Sequence, residues 1–397
     1  RTYVIMSNKL VLIDGHSILN RAFYGVPDLT NSEGLHTNAV YGFLNIMFKI
    51  LEEEKADHLA VAFDLKEPTF RHKMYDAYKG TRKPMPEELR EQVPLMKEVL
   101  ASMNIPIMTL PGFEADDILG TLAKKNAANG VEVSVVSGDR DLLQLADTHI
   151  KIRIPKTSRG GTEIHDYYPE DVKREYQVTP IEFIDVKALM GDASDNIPGV
   201  PSIGEKTATN LIVAYGSIEN AYEHLSEIKP PRAQKALAEH YDMAQMSKEL
   251  ATICIDCPIE FSYADMEVGN LYTQEAYEYM KRLEFKSILA RFDADHMAAP
   301  DVASHFQIIR DFGQAEEIFA KAEKEKNLGM QLVVEQGQIY GLALCFGEEA
   351  VYGIAAEGFL TGQYLADTMS RLVKTAESAW VLDLKKQLPY LEVEDGS

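Results

Sequence analysis

Cysteine is scarce in this 397-residue chain, limited to Cys254, Cys257 and Cys345. Three thiols cannot build a disulfide framework, so a reducing, cytoplasmic compartment is expected. Cys254 and Cys257 do form a CxxC, a spacing open to a redox pair or half a zinc site. No second CxxC or HxxxH lies nearby, and two ordinary, partly buried thiols are the expectation. Long apolar runs are also lacking. None reaches the ~18 residues that span a bilayer, which leaves no membrane among the expected partners. The opening RTYVI has neither the basic start nor the longer apolar stretch of a signal peptide, and reads as an extension before a start at Met6. Missing, finally, is any excess of positive charge: 40 Lys and Arg face 62 Asp and Glu, a net charge of −22. By itself that balance argues against a chain that binds nucleic acid through bulk charge.

What the chain does have is enough apolar content, 46%, to fill the cores of two or three domains. Lys9–Asp14 (KLVLID), His58–Asp64 (HLAVAFD) and Val131–Asp139 (VEVSVVSGD) are β-rich runs that each end in a carboxylate. Between them, Val40, Phe43, Leu44, Met47, Ile50 and Leu51 follow helical spacing in 38–55, and Glu114–Asn129 is a second helix closed by Gly130. Strands alternating with helices predict an α/β fold with a largely parallel sheet, its functional residues at the carboxyl ends of the strands. From about Pro169 the pattern turns helical: 169–176, 180–190, 205–215, 232–241 and 273–283. The expected division is therefore 8–169 α/β, 170–292 mainly α, a linker at 293–304 around AAPDVA, and a mixed α/β remainder at 305–397.

Acids recur where these strands end. Asp14 and Asp64 terminate two of them, Asp139 and Asp141 follow the third, and Glu114, Asp116 and Asp117 open a helix as EADD. Asp192 and Asp195 lie in GDASDN at the entrance to the helical region. A lone Asp is usually a solvated loop residue or a cap. A set gathered at one sheet edge repels itself unless cations neutralise it. An all-oxygen, histidine-poor cluster suits Mg²⁺, with Mn²⁺ able to substitute, rather than Zn²⁺. Two such ions would activate water against a phosphodiester and stabilise its leaving oxygen.

Charge reverses locally in Lys66–Lys83 (KEPTFRHKMYDAYKGTRK), where aromatic residues interleave with Lys and Arg. Such a stretch can pair with phosphates and stack on bases, and Phe70, Arg71 and Lys83 are expected to meet DNA. Residues 199–208 (GVPSIGEKTA) read as a tight hairpin opening a helix, where glycines and free N–H groups can approach a phosphate. No apolar strand leads into that string and Pro201 sits inside it, so a DNA-backbone clamp is preferred to a nucleotide-binding loop.

Taken together, DGHSILNR, FDLKEPTFRH, YKGTRKPMP, GFEADDILG, SGDRDLLQL, MGDASDNIPGV and SIGEKTA resemble the 5′-nuclease region of bacterial DNA polymerase I, in the flap-endonuclease superfamily. The resemblance covers residues 8–292 and implies a PIN-like nuclease domain followed by a helix–three-turn–helix domain. It implies that Asp14, Asp64, Glu114 and Asp116 hold one metal ion. Asp116 or a neighbour, with Asp139, Asp141 and Asp195, would hold the second, and Asp117 and Asp192 would act through water. Arg21, Lys79 and Arg82 match basic residues near the scissile phosphate and in a helical arch, and Phe23 or Tyr24 lies where an aromatic could stack beside the cut. Gly199, Val200, Ile203, Gly204, Lys206 and Thr207 match the clamp on the duplex, in the family often with a monovalent cation such as K⁺. The implied substrate is a 5′-flap, nicked or branched DNA duplex, with a polymerase domain in cis. A non-catalytic branched-DNA-binding module and a PIN-type ribonuclease are the competing readings; the first would lack the acids, the second the clamp.

Residues 305–397 resemble, more weakly, the start of a 3′–5′ proofreading domain. There the family's D-x-E pair is replaced by Val333 and Glu335, and a later aspartate by Gln387, so a degenerate remnant without proofreading is expected.

Overall fold

The computed structural model describes residues 8–158, 161–296, 306–347, 350–382 and 384–391. The extension before Met6 and the AAPDVA stretch of the expected linker lie outside the described residues. The chain divides into two compact units, 1–292 and 293–397.

The first unit is built on a six-stranded sheet: β1 (Lys9–Asp14), β2 (His58–Ala62), β3 (Ile107–Met108), β4 (Glu132–Val136), β5 (Ile150–Ser158) and β6 (Gly161–Tyr167), in the order β3-β2-β1-β4-β5-β6. All neighbours run parallel except β5 and β6, an antiparallel hairpin that the sequence pattern did not reveal. The alternation of β1 sends Leu10 and Leu12 to one face and Val11 and Ile13 to the other, and both faces are covered. On one face α2 (Asn38–Glu54) lays down Val40, Phe43, Leu44, Met47 and Ile50, all fully buried. Its neighbours there are α1 (Gly15–Gly25) and α4 (Glu87–Ser102), with α3 (Phe70–Met74) preceding α4. The other face is covered by α5 (Ala115–Ala128) through Ile118, Leu119 and Leu122. Gly130 (φ +80°) ends that helix, in a conformation that glycine adopts without cost.

The core under α5 continues without a break into a helical region: α6 (Pro169–Tyr176), α7 (Pro180–Met190), α8 (Glu205–Tyr215), α9 (Ile218–Glu223), α10 (Pro231–Glu239) and α11 (Tyr241–Ala251). Helix α7 starts as its sequence demands: Thr179 caps the amide of Glu182, Pro180 takes the first turn, and Gly191 (φ +73°) stops it. The expected helix at 232–241 instead breaks at His240, and a separate helix follows. Helices α12 (Gln274–Arg282) and α13 (Lys286–His296) return the chain to the α2 side, where Met280, Phe285 and Phe292 join its core.

The second unit has a five-stranded sheet of β7 (Phe306–Ile309), β8 (Asn327–Glu335), β9 (Gln338–Phe346), β10 (Ala350–Ala355) and β11 (Ser378–Val381), ordered β11-β8-β9-β10-β7. The strands expected at 330–334 and 339–346 are the antiparallel pair β8–β9, joined at Gln336 and Gly337, both at positive φ. Helices 312–322 and 362–375 bury Ile318, Phe319, Leu365 and Met369 against that sheet.

Candidate active site

Because β1, β2 and β4 are adjacent and parallel, with Asp14 level with Ala62 and Ile13 level with Val136, their carboxyl ends lie side by side. An open cavity of about 890 Å³ sits above them, lined by Asp14, Asp64, Glu114, Asp116 and Asp139 together with His16, Arg21, Tyr24, Lys79 and Arg82. Five of the nine expected ligands and all three expected catalytic cations therefore share one hollow.

Each acid is set by its local fold. Asp14 ends β1 and caps α1, accepting the Ser17 amide at 3.1 Å and the Ser137 hydroxyl at 2.7 Å. Burial pushes its carboxyl up to about 7, reinforced by Asp64 and Asp139 nearby. Asp64 accepts the Ala115 amide at 2.7 Å, at the start of α5. His16, 3.8 Å from Asp64, packs its ring edge against Phe63, and burial lowers its pKa. Asp139 accepts the Asp141 amide and so fixes the 3₁₀ turn 140–145. Asp116, in the first turn of α5, is held well above the usual carboxylate range by burial and then by Asp14, Asp139 and Asp64. Lys79, Arg82 and Lys187 pair instead with Glu114, Asp195, Asp141 and Asp192.

The remaining acids are differently placed. Glu114 is met by Lys79 at 2.8 Å, the Tyr78 hydroxyl at 3.1 Å and Arg71 at 3.3 Å. Asp195 is bonded to Arg82 and to the Tyr78 hydroxyl (3.2 Å), with Lys79 at 4.0 Å. Asp141 and Asp192 share the Lys187 ammonium at 2.5 Å each. Burial opposes charge on Lys187, but the two carboxylates outweigh it and hold the ammonium above its ordinary value. Burial also raises Asp192, yet Lys187 and Ser194 bring its carboxyl down to about 2. Among the described residues no three Asp, Glu, His or Cys side chains close round a common point as they stand.

Four sequence expectations need correcting. Asp117 does not reach the cavity: it is fully buried, and its oxygens are taken by Arg71 (2.8 Å twice) and by the amides of Glu114 and Cys254. Arg71 is likewise no surface DNA contact. It is 2% exposed, and its guanidinium also donates to the carbonyls of Leu250 and Thr252, tying α3, α5 and the end of α11 together. Phe70 packs on Phe113 beneath Arg71, away from the acids. Nor is the segment carrying Lys79, Arg82 and Lys83 a helix. It is irregular from Tyr75 to Pro86, turning over 76–81, with Lys79 at φ +56° and its amide bonded to the Asp195 carbonyl.

The hairpin is tight for a steric reason. A Cβ on Gly199 (φ +63°) would lie 2.3 Å from the Gly191 nitrogen, so Gly199 holds closed the loop that carries Asp192 and Asp195. Val200 and Ile203 point into the core, whereas Gly204 and Lys206 are exposed and Thr207 is half-buried at the start of α8. Lys206 lines a second hollow, with Arg140, Tyr176, Lys187 and Asp192. Cys257 is buried against Thr121 and Cys254 is half-buried, both as free thiols raised by burial.

Sequence reasoning missed Lys187, Tyr78 and His16. Lys187 left a faint trace as the lone basic residue of its helix, four residues before GDASDN; Tyr78 and His16 lay inside the motifs but carried no chemistry-bearing signal of their own.

Comparison with known proteins accords with this geometry. The 5′–3′ exonuclease N-terminal, resolvase-like domain family matches residues 9–177, and the 5′–3′ exonuclease C-terminal SAM fold matches 178–274. DNA polymerase I of Bacillus caldotenax is 47% identical over 289 residues, covering 73% of this chain and 33% of that protein. DNA polymerase I of Caldicellulosiruptor bescii is 37% identical over 390 residues, covering 98% of this chain and 44% of that protein. The chain thus spans less than half the length of the curated relatives it matches. Among solved structures, bacteriophage T5 5′-exonuclease with divalent zinc bound has a TM-score of 0.52 at 21% identity, covering 70% of this chain and 98% of that one. The T5 D15 flap endonuclease in a pseudo-enzyme–product complex with DNA and metal ions also has a TM-score of 0.52, at 23% identity, covering 70% and 99%. These two share the fold.

Proposed function

Residues 9–274 of the chain belong to the 5′–3′ exonuclease family, and from that premise we propose that it is a structure-specific 5′ nuclease hydrolysing DNA phosphodiesters with two divalent ions. The observation that carries this reading is the quartet Asp14, Asp64, Asp116 and Asp139, gathered in one cavity where Lys79 and Arg82 are already engaged by Glu114 and Asp195. Its donor set fits a hard cation: only carboxylate oxygens, with Asp14 and Asp116 raised toward protonation by burial and then by their acidic neighbours. Mg²⁺ is the ion proposed, with Mn²⁺ as a substitute and K⁺ at the hairpin. Uptake requires side-chain rotation, since the acids do not yet converge. Bound ions would supply Lewis acidity for the attacking water and the departing oxygen.

The chain's own residues do the rest of the work. Lys79 and Arg82, anchored on Glu114 and Asp195, present positive charge at the cavity mouth, where a phosphate would be oriented. Arg21 lines the same wall. Tyr24, 69% exposed at the rim, can stack on a base beside the cut. The amides and glycine of the Gly199–Thr207 hairpin, with Lys206, would hold duplex backbone. Substrates are proposed to be 5′-flap, nicked or branched duplexes met in primer removal and repair, with a polymerase domain in cis, in the cytoplasm.

For residues 305–397 we propose no 3′–5′ exonuclease activity and a spacer or docking role. Val333 is an exposed aliphatic side chain, and the Gln387 amide is already spent on the Leu332 amide (2.8 Å) and carbonyl (3.2 Å), clipping the edge of β8. Cleavage of a 5′-labelled flap with Mg²⁺, and its loss in EDTA, tests the main reading. Equal cleavage in both conditions would overturn it.

A further inference from the structure

One cation of the carboxylate region lies outside the lining of the cavity that gathers Asp14, Asp64, Asp116 and Asp139. Lys187 stands on α7, 9% exposed, with its ammonium 2.5 Å from Asp141 Oδ1 and 2.5 Å from Asp192 Oδ2. The two acids come from different elements, the 3₁₀ turn after β4 and the loop after α7, so the ammonium is what joins them. Asp139, two residues from Asp141, lies in the unpaired quartet. Lys187 therefore occupies the junction where the acid cluster continues from the sheet to the helical region.

We propose that Lys187 is a resident counter-cation for the second divalent ion, and that ion uptake by Asp141 and Asp192 proceeds by displacing it. This rests on the metal-dependent reading above. A compact divalent ion needs carboxylate oxygens within about 2.0–2.1 Å, and an ammonium held between the same two carboxylates excludes it sterically and by charge. With the ammonium in place, the charge of Asp141 and Asp192 is partly offset and the loop carrying Asp192 is tied to the 3₁₀ turn after β4. Lys79, which bears on Asp116 of the quartet, is itself held by Glu114 at 2.8 Å. The two ends of the site should then differ in affinity: a tight ion at Asp14, Asp64, Asp116 and Asp139, and a weaker one that must move Lys187 first.

Two measurements on the full chain test this. Mn²⁺ binding, read by electron paramagnetic resonance, is compared between wild type and Lys187→Met. Two classes are expected in wild type, and the weaker class should tighten about tenfold in the variant, with the tight class unchanged. In wild type alone, labelling of Lys187 by an amine-reactive reagent, read by mass spectrometry, should rise severalfold at saturating Mn²⁺; this arm decides the matter even if the variant does not fold. An unchanged or weakened second class, or Lys187 equally protected with and without Mn²⁺, overturns the proposal and leaves the metal-dependent reading standing. Absence of any bound Mn²⁺ overturns both, and is told apart by the missing tight class.

Discussion

The two ends of the carboxylate region solve one electrostatic problem in opposite ways. At one end Glu114, Asp195, Asp141 and Asp192 are each met by a cation of the chain: Lys79, Arg82 or Lys187. At the other, Asp14, Asp64, Asp116 and Asp139 face one another and accept hydrogen bonds from Ser137, Ser17, Ala115 and the Asp141 amide. The paired end is largely offset by cations of the chain, although burial and Asp139 still push Asp141 up to about 7, whereas the other end stores repulsion that a proton or a cation relieves. Folding stability and function thus pull apart at the second end and coincide at the first.

Asp116→Asn offers the hardest test of that contrast. Removing one charge from the unpaired end should lower cleavage about a thousandfold, because an ion contributing several kcal/mol to the transition state is lost. The same change should raise the melting temperature in EDTA, by about 2–4 °C for each ~1 kcal/mol of repulsion removed. Cleavage within tenfold of wild type would end the assignment, and a lower melting temperature would end the contrast. Arg71→Met probes the neighbouring buried pair. It strands Asp117 without its counter-ion, so urea unfolding should reveal a loss of about 3–5 kcal/mol. A loss below about 1 kcal/mol would mean that Arg71 is a replaceable contact.

At the paired end, Lys79→Ala and Arg82→Ala should slow single-turnover cleavage about 10- to 100-fold while changing duplex affinity less. Weakened affinity with an untouched cleavage step would move both residues from the cavity to the clamp. A gentler probe is pH. Asp14, near 7, and Asp116, also raised, keep protons in the native state that the unfolded chain has released above about 4. The native state therefore binds more protons through that window, and stability in EDTA should fall as pH rises from about 5 to 8. Added Mg²⁺ should flatten the slope; a rising slope in EDTA would contradict the stored repulsion. The smallest effect is expected from Lys206→Ala, with duplex affinity down a few-fold and the salt dependence shallower by about one ion. An unchanged salt slope would remove Lys206 from the interface.

Much of this was legible in the chain itself. The runs ending in Asp14, Asp64 and Asp139 predict strands because β-rich segments are local, and parallel order then brings their ends together. Helices 169–176, 180–190 and 205–215 were readable because caps, prolines and glycines act within a few residues. Harder to see was the β5–β6 hairpin, whose Arg153 pairs with Glu53 at 2.7 Å and Asp166 at 2.8 Å, so its buried charge masks the strand pattern.

The sequence by itself determined which residue types crowd the sheet edge, and hence that oxygen ligands and not thiols or imidazoles are offered. Only the tertiary structure decided which acids remain available. Asp116 and Asp117 are adjacent in sequence, yet the ~100° step between neighbouring helix residues sends the first into the cavity and the second onto Arg71. Arg71 and Arg82 look alike in a basic stretch, yet one is sealed beneath α5 and α11 and the other stands at the mouth. Periodicity gives a side chain's face relative to its own helix. What lies opposite that face, 46 residues away for Arg71 and Asp117, is set by packing, and no local pattern encodes it.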